Sequence, residues 1–161
     1  MTEALADETQ VNAAPESAIR YERDAEGIVT LTMDDPNGSV NLMNEAFKSS
    51  LRQVVDRLYG ELDQVTGVIL ASAKKTFFAG GDLERLSTAN PEQASEETAY
   101  VNDMKSDMRR LETIGRPVVA AINGAALSGG LEVALIAHHR LAADNASTRI
   151  GLPEVTLGLL P

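Results

Sequence analysis

The sequence contains no cysteine, and this absence removes several kinds of chemistry at once. A chain without cysteine has no disulfide framework, no thiol nucleophile and no thiolate metal site. The sequence also lacks any run of 18 or more apolar residues, and no basic segment followed by an apolar one stands at the amino terminus. No membrane span and no secretory signal are therefore predicted, and we expect a soluble, cytoplasmic protein.

Basic residues are few relative to acidic ones. The chain has 14 lysines and arginines against 24 aspartates and glutamates, which gives a formal net charge of −10 over 161 residues. This balance argues against nucleic acid as a partner, because nucleic-acid binding depends on basic surfaces. The length suits one domain with a hydrophobic core and is too short for two.

The amino-terminal part divides into a tail and the start of a domain. Residues 1–17 are acidic, rich in alanine and small polar residues, and without a sustained apolar period. We predict a disordered tail there and a folded domain over residues 18–161. Ile19, Tyr21 and the alternating run from residue 28 to 33 predict a β-hairpin with its turn at residues 24–27.

A helix, a buried strand and a glycine turn then follow one another twice. In the first unit Asn44 is a possible N-cap, apolar residues recur at helical spacing up to Gly60, and residues 67–71 are continuously apolar. In the second unit a helix over roughly residues 96–114 precedes the apolar run 118–122. The repetition predicts an α/β architecture, although the two units share no close sequence similarity.

The second glycine turn, residues 124–130, leads into an apolar run in which a helix is predicted to start at the glycines. The first N–H groups of a helix have no partner inside it, so they suit an anion or a developing oxyanion, and Gly129 is the donor we expect. Glu132 lies within one helical turn of Gly129, and Glu154 follows on the return segment. Two carboxylates and a set of amides could therefore converge on one pocket.

Each of these features also has a purely structural interpretation. A glycine turn before a helix can reflect tight packing alone, Glu132 can be a first-turn residue favoured by the helix dipole, and Glu154 can be a loop carboxylate. His138 and His139 are adjacent, so on a helix they point in different directions and suit metal ligation poorly. Ser128 with His138 and Asp144 invites a hydrolase interpretation, but the first glycine of a G-x-S-x-G motif is missing.

The first glycine turn closes the loop from residue 73 to 82. Its amides, at Ala79, Gly80 and Gly81, stand after a buried strand, where open α/β sheets place their ligands. Lys74 and Lys75 stand beside them. A structural turn with two solvated lysines is the alternative interpretation of the same residues.

Four motifs carry a resemblance to a known family. They are FFAGGDL (77–83), PVVAAING (117–124), SGGLE (128–132) and GLPEVTLGLLP (151–161). In this order and spacing they resemble the crotonase, or enoyl-CoA hydratase/isomerase, superfamily. The last motif looks most like the hydratase region of the multifunctional fatty-acid β-oxidation α subunit. The resemblance covers about residues 19–161 and implies a crotonase-like fold of repeated ββα units.

The resemblance also implies roles for particular residues. The N–H groups of Gly81 and Gly129 would form the oxyanion hole for a thioester carbonyl, and Glu132 and Glu154 match the two catalytic glutamates. Ala79 and Gly80, with Lys74 and Lys75, would lie along the CoA moiety. The implied reaction is hydration of trans-2-enoyl-CoA to 3-hydroxyacyl-CoA, without a metal or cofactor.

Two departures from the family pattern shape the remaining expectations. Ser128 stands where the hydratase motif usually has the first of three glycines. The sequence ends at Pro161 in mid-motif, so we expect a fragment whose fold is incomplete at the carboxy terminus. The alternative function is then a non-catalytic acyl-CoA-binding or assembly fragment. NAD would enter only with a dehydrogenase region, and the resemblance implies an oligomer and a possible thiolase β subunit as partner.

Overall fold

A computed structural model describes residues 17–88 and 90–160. Its strands in chain order are β1 (Ile19–Arg23), β2 (Ile28–Met33), β3 (Leu42–Met43), β4 (Gly67–Ser72), β5 (Gly80–Gly81), β6 (Val118–Ile122), β7 (Ala126–Leu127), β8 (His139–Ala142) and β9 (Ile150–Gly151). Its helices are α1 (Glu45–Gly60), α2 (Leu83–Ser87), α3 (Ala94–Glu112) and α4 (Gly129–Leu135). Single 3-10 turns occur at residues 62–64, 91–93 and 154–157.

The main sheet has five strands in the order β1-β2-β4-β6-β8. β1 and β2 are antiparallel and form the predicted hairpin, whereas each later neighbour pairs in parallel. Val29, Val68 and Val118 are register partners across three neighbouring strands, and all three are buried. The continuous apolar runs at 67–71 and 118–122 are thus strands of the sheet interior, as predicted.

The hairpin turn forms where the sequence places it because Asp24 satisfies its amides. The Asp24 carboxylate accepts hydrogen bonds from the N–H groups of Glu26 and Ile28, at 3.0 and 2.8 Å. Gly27 has φ +82°, a conformation that glycine adopts without steric cost.

Helices α1 and α3 pack against each other and contribute to the hydrophobic core. Asn44 is the N-cap of α1, as predicted, and its side chain accepts from the N–H of Phe47 at 2.9 Å. The core face of α1 consists of Phe47, Leu51, Val54, Val55 and Leu58. Helix α3 ends at Glu112, two residues before the predicted end, and turns Met104, Met108 and Leu111 inward.

The interpretation of the two histidines needs one correction, because His138 and His139 do not lie on a helix. Helix α4 ends at Leu135, and His139 begins β8, where it is the register partner of Val119. His138 accepts the backbone N–H of Val118 at Nδ1, at 2.9 Å. Pairing with β6 therefore makes residue 139 the start of a strand. The structural role expected for His138 is its hydrogen bond with the backbone of Val118.

Some predictions fall on residues that the structure does not describe. Residues 1–16 of the predicted tail lie outside the described residues, and so does Pro161, the last residue of the fourth motif. Among residues 17–88 and 90–160, no helix is both long and apolar enough to cross a lipid bilayer.

Candidate active site

Three small parallel pairings assemble the site at the carboxyl ends of the main parallel strands. β3 pairs with β5, Phe78 forms an isolated bridge with Ala126, and β7 pairs with β9. Each involves only one or two residues a side, yet together they join four loop segments that are distant in sequence. The carboxyl ends of parallel strands are where open α/β sheets bind ligands, so this is the expected place for a site.

The two predicted glycine turns and both predicted glutamates line one cleft. Its volume is about 400 Å³, and Gly81, Gly129, Glu132 and Glu154 are all among its lining residues. Gly81 arrives from β5, while Gly129 is the first residue of α4 and Glu132 lies in the first turn of that helix. The convergence expected from the sequence is therefore present in the fold.

Glu154 reaches the cleft through the β7–β9 pairing. Gly151, the register partner of Leu127, also accepts the N–H of Ser128 at 3.0 Å, and Pro153 and Glu154 follow directly. The Glu154 side chain is buried, with 6% of the residue exposed. One oxygen, Oε1, accepts a hydrogen bond from Ser128 Oγ at 2.6 Å, whereas the buried Oε2 has no hydrogen-bond partner among the described residues.

Ser128 holds an unusual backbone conformation at the start of α4. Its φ is +55° and its ψ is −130°, and within residues 17–88 and 90–160 it is the one non-glycine residue with positive φ. A side-chain-bearing residue in such a conformation costs on the order of 1–3 kcal/mol. Ser128 is also the N-cap of α4, but its side chain makes no capping hydrogen bond and donates to Glu154 instead.

Glycine at position 130 lets α4 approach the loop that carries the first glycine turn. A Cβ on Gly130 would overlap the carbonyl oxygen of Phe78 and would lie 2.8 Å from its carbonyl carbon. Phe78 is fully buried and donates its N–H to Ala125 at 3.1 Å. The separation of Gly81 from Gly129 thus depends on a close backbone contact that only glycine permits.

The outer wall of the cleft comes from α2 and α3, and sequence reasoning missed it. Arg85 forms two hydrogen bonds to the Glu97 carboxylate, both at 3.0 Å, and its guanidinium lies 3.8 Å from the ring centroid of Tyr100. The Glu97 hydrogen bond raises the pKa of Arg85, and burial, followed by the charge of Glu45, raises the pKa of Tyr100. No spacing in the sequence indicated this contact, because Arg85 and Glu97 lie on two different helices that are joined by a polar stretch of chain.

The residues predicted for CoA are only partly brought together. Ala79 lines a second cleft of about 500 Å³ that shares Gly81 and Glu154 with the first. Gly80 is buried against Ser128. Lys74 lines neither cleft: its Nζ pairs with Asp34 at 2.9 Å, and Lys75 is exposed outside both.

The hydrolase interpretation of Ser128 does not match the observed bonding. Ser128 donates to Glu154, while His138 Nδ1 is occupied by the backbone of Val118. Within the part of the chain that the structure describes, no hydrogen bond joins Ser128 to His138. A relay from Ser128 through His138 to Asp144 is therefore not formed.

Comparison with known proteins gives the class to which this fold and site belong. Residues 23–161 match the enoyl-CoA hydratase/isomerase family, which is nearly the whole described domain. The chain belongs to this family. The resemblance to the crotonase superfamily, expected from the four motifs, is confirmed.

Two relatives that share one name each match most of this chain. The chain is 38% identical over 146 residues to the fatty acid oxidation complex subunit alpha of Aliivibrio fischeri, covering 90% of this chain and 21% of that protein. It is 39% identical over 137 residues to the same subunit of Idiomarina loihiensis, covering 84% and 19%. The chain thus spans about a fifth of the length of these curated relatives.

Solved structures confirm the fold. An enoyl-CoA hydratase from Bacillus anthracis superposes with a TM-score of 0.77 at 30% identity, over 90% of this chain and 54% of that one. An enoyl-CoA hydratase/carnithine racemase from Magnetospirillum magneticum gives a TM-score of 0.78 at 29% identity, over 90% and 52%. The α/β architecture is therefore that of crotonase-like proteins, of which this chain spans about half the length.

Proposed function

We propose that this chain contributes the hydration site for trans-2-enoyl-CoA, forming 3-hydroxyacyl-CoA in fatty-acid β-oxidation. One observation carries the proposal: Gly81, Gly129, Glu132 and Glu154 line a single cleft in a member of the enoyl-CoA hydratase/isomerase family. The family match supports enoyl-CoA as the substrate class, and relatives named as fatty acid oxidation complex subunits support fatty-acid oxidation as the pathway.

The two glycine turns would act on the thioester carbonyl. The N–H groups of Gly81 and Gly129 would donate to its oxygen, which makes the β-carbon of the enoyl group electrophilic and stabilises the enolate that forms when water adds. Gly129 suits this role because it opens α4, where the first amides have no acceptor inside the helix. Loss of one such donor costs roughly 3 kcal/mol of barrier, about a hundredfold in rate.

The two glutamates would handle the water and its protons. As the water oxygen bonds to the β-carbon, one carboxylate takes a proton from the water, and the π electrons move onto the thioester oxygen. When the enolate collapses, the α-carbon receives a proton from the other carboxyl group. The net change is addition of H and OH across the double bond, and the two carboxyls are regenerated with their protons exchanged.

The cleft walls suggest how the rest of the substrate lies. Met43, Leu86, Val101, Met104 and Met108 give one side an apolar lining suited to an acyl chain. We place the CoA moiety along Ala79 and Gly80, beside the second cleft. Lys74 and Lys75 remain candidates for its phosphates, but Lys74 would first have to leave Asp34.

The same relatives suggest the setting in which the site works. They are α subunits of fatty acid oxidation complexes, so we propose that the protein acts within an oligomeric complex, with a thiolase β subunit as the partner implied by the family resemblance. Hydration itself uses no nicotinamide; NAD would serve only a separate dehydrogenase region.

The test is hydration of crotonyl-CoA by the full-length protein, followed as loss of enoyl absorbance. Wild type should turn over, and Glu154→Gln should lower kcat by at least about a hundredfold, because a group that transfers protons in the transition state contributes that much or more. Glu22→Gln is the matched control, since Glu22 is an exposed glutamate on β1, away from the cleft.

Equal rates in Glu154→Gln and wild type would refute the proposed chemistry. Binding of CoA measured by calorimetry, with no hydration by wild type, would instead support the alternative of a non-catalytic acyl-CoA-binding protein.

A further inference from the structure

The proposed hydration chemistry does not explain two features of Ser128, a residue that lines the cleft. It holds a backbone conformation that favours glycine, and it does not cap the helix that it precedes. A serine at an N-cap ordinarily stabilises its helix through its hydroxyl, and a glycine here would be free of the backbone strain. The contact that a serine side chain does make at this position is the hydrogen bond to Glu154.

The surroundings leave the Ser128 hydroxyl little freedom. Its backbone N–H donates to Gly151 at 3.0 Å, and its carbonyl accepts from Leu131 and Glu132 at 2.8 and 3.2 Å. Its Cβ packs against Gly80, where an added Cβ would lie 2.8 Å away. The backbone is thus held by β9 on one side and by α4 on the other, and the side chain is directed at Glu154 Oε1.

The two oxygens of Glu154 are therefore not equivalent. Oε1 accepts a short hydrogen bond from the Ser128 hydroxyl, at 2.6 Å. Oε2 is buried and has no hydrogen-bond partner among the described residues, although the side chain lines the cleft. A buried carboxylate oxygen without a partner is unfavourable unless a ligand or a water completes its bonding.

We propose that Ser128 is a positioning residue, whose hydroxyl holds Oε1 of Glu154 so that Oε2 is the atom that exchanges a proton with the reacting centre. This inference rests on the proposed hydration. In that reaction the water oxygen bonds to the β-carbon, one carboxylate takes a proton from the water, and the other carboxyl gives a proton to the α-carbon; any proton that Glu154 takes or returns passes through Oε2. Ser128 itself forms and breaks no covalent bond.

Two substitutions separate positioning from stability. Ser128→Ala and Ser128→Gly both remove the hydroxyl, but only the glycine variant relieves the positive-φ strain. We expect kcat for crotonyl-CoA hydration by the full-length protein to fall by between about tenfold and a hundredfold in both variants, because a misplaced proton-transfer group slows the chemical step. KM should stay within about twofold of wild type, because the proposed role of Ser128 is to orient Glu154 and not to bind the acyl-CoA.

Thermal unfolding of the same variants supplies the control. Ser128→Gly should unfold at a higher temperature than Ser128→Ala while being equally slow, so activity and stability should separate. Wild-type kcat in either variant, a kcat that follows stability, or a raised KM at unchanged kcat would overturn the role of Ser128. Absence of hydration by wild type would refute the proposed function, and the role of Ser128 with it; that failure is distinguishable because it appears in the unmodified protein.

Discussion

Substitution of Gly130 by alanine tests how the two glycine turns are held together. A Cβ at this position would overlap the Phe78 carbonyl oxygen and would lie 2.8 and 2.9 Å from the Phe78 carbonyl carbon and Cβ. Rotation of a side chain cannot relieve an overlap with backbone. Phe78 is also fixed in place, because it is fully buried, packs edge-on against Phe47 at 4.9 Å, and accepts the N–H of Leu127 at 3.2 Å.

Two opposing free-energy terms set the size of the stability change expected for Gly130→Ala. Replacing glycine with alanine reduces the entropy of the unfolded chain, which stabilises the protein by about 0.4–1 kcal/mol where the native conformation allows it. Overpacking against a buried backbone costs about 1–3 kcal/mol, and occasionally more. Because the overlap at Gly130 is with backbone that cannot rotate away, the upper end of that cost applies. We therefore expect Gly130→Ala to lower the free energy of unfolding by about 2 kcal/mol, which corresponds to a fall in Tm of about 4–8 °C for a domain of this size.

Gly151→Ala is the matched control for this experiment. Gly151 also belongs to the site, in β9, but apart from its two chain neighbours no atom of residues 17–88 and 90–160 lies within 4 Å of the Cβ it would gain. Urea denaturation of both variants should show Gly151→Ala at or slightly above wild-type stability and Gly130→Ala well below it. Equal stability of the two variants would refute the close approach of α4 to the Phe78 loop.

Three further predictions concern the scaffold. Lys74, more than any other group, holds the pKa of Asp34 below its usual range, so the stabilisation it gives is complete above about pH 4 and is lost as the pH falls through the lowered pKa; in urea titrations the deficit of Asp34→Asn should shrink as the pH falls below about 4. Asn44→Ala should cost about 1 kcal/mol of unfolding free energy through loss of the α1 N-cap, and Asn44→Ser should restore most of it. Arg52→Ala should destabilise by about 2 kcal/mol in thermal melts, because Asp107, 1% exposed, would lose its 2.5 Å hydrogen bond from Arg52; a loss no larger than that of an exposed ion pair would contradict the burial of Asp107.

Local patterns were sufficient to predict the scaffold. The hairpin, the two buried strands and α1 were predictable because each depends on its own residues: Asp24 closes its turn, Asn44 caps its helix, and a continuous apolar run suits a strand covered on both faces. The convergence of Glu132 and Glu154 was predictable for a different reason. Both lie on segments that follow the carboxyl ends of parallel strands, where the topology brings loops together.

Long-range contacts could not be predicted from local patterns. The bond from Ser128 to Glu154 depends on the β7–β9 pairing, which is two residues long and has no periodic signal. The positive φ of Ser128 had no sequence signal either, since serine gives no reason to expect it. Burial of Asp107 could not be predicted from the apolar spacing of α3 either, because a carboxylate on the core side of the helix is tolerated only through its arginine partners on α1 and α3.

The most direct test of the central claim is a crystal structure of the full-length protein with butyryl-CoA, a saturated thioester that cannot be hydrated. We expect the thioester oxygen within about 3 Å of the backbone nitrogens of both Gly81 and Gly129, with the carboxyls of Glu132 and Glu154 beside the β-carbon. A thioester bound with its oxygen directed away from either amide, or with the two carboxyls on opposite sides of the molecule from the acyl group, would contradict that claim.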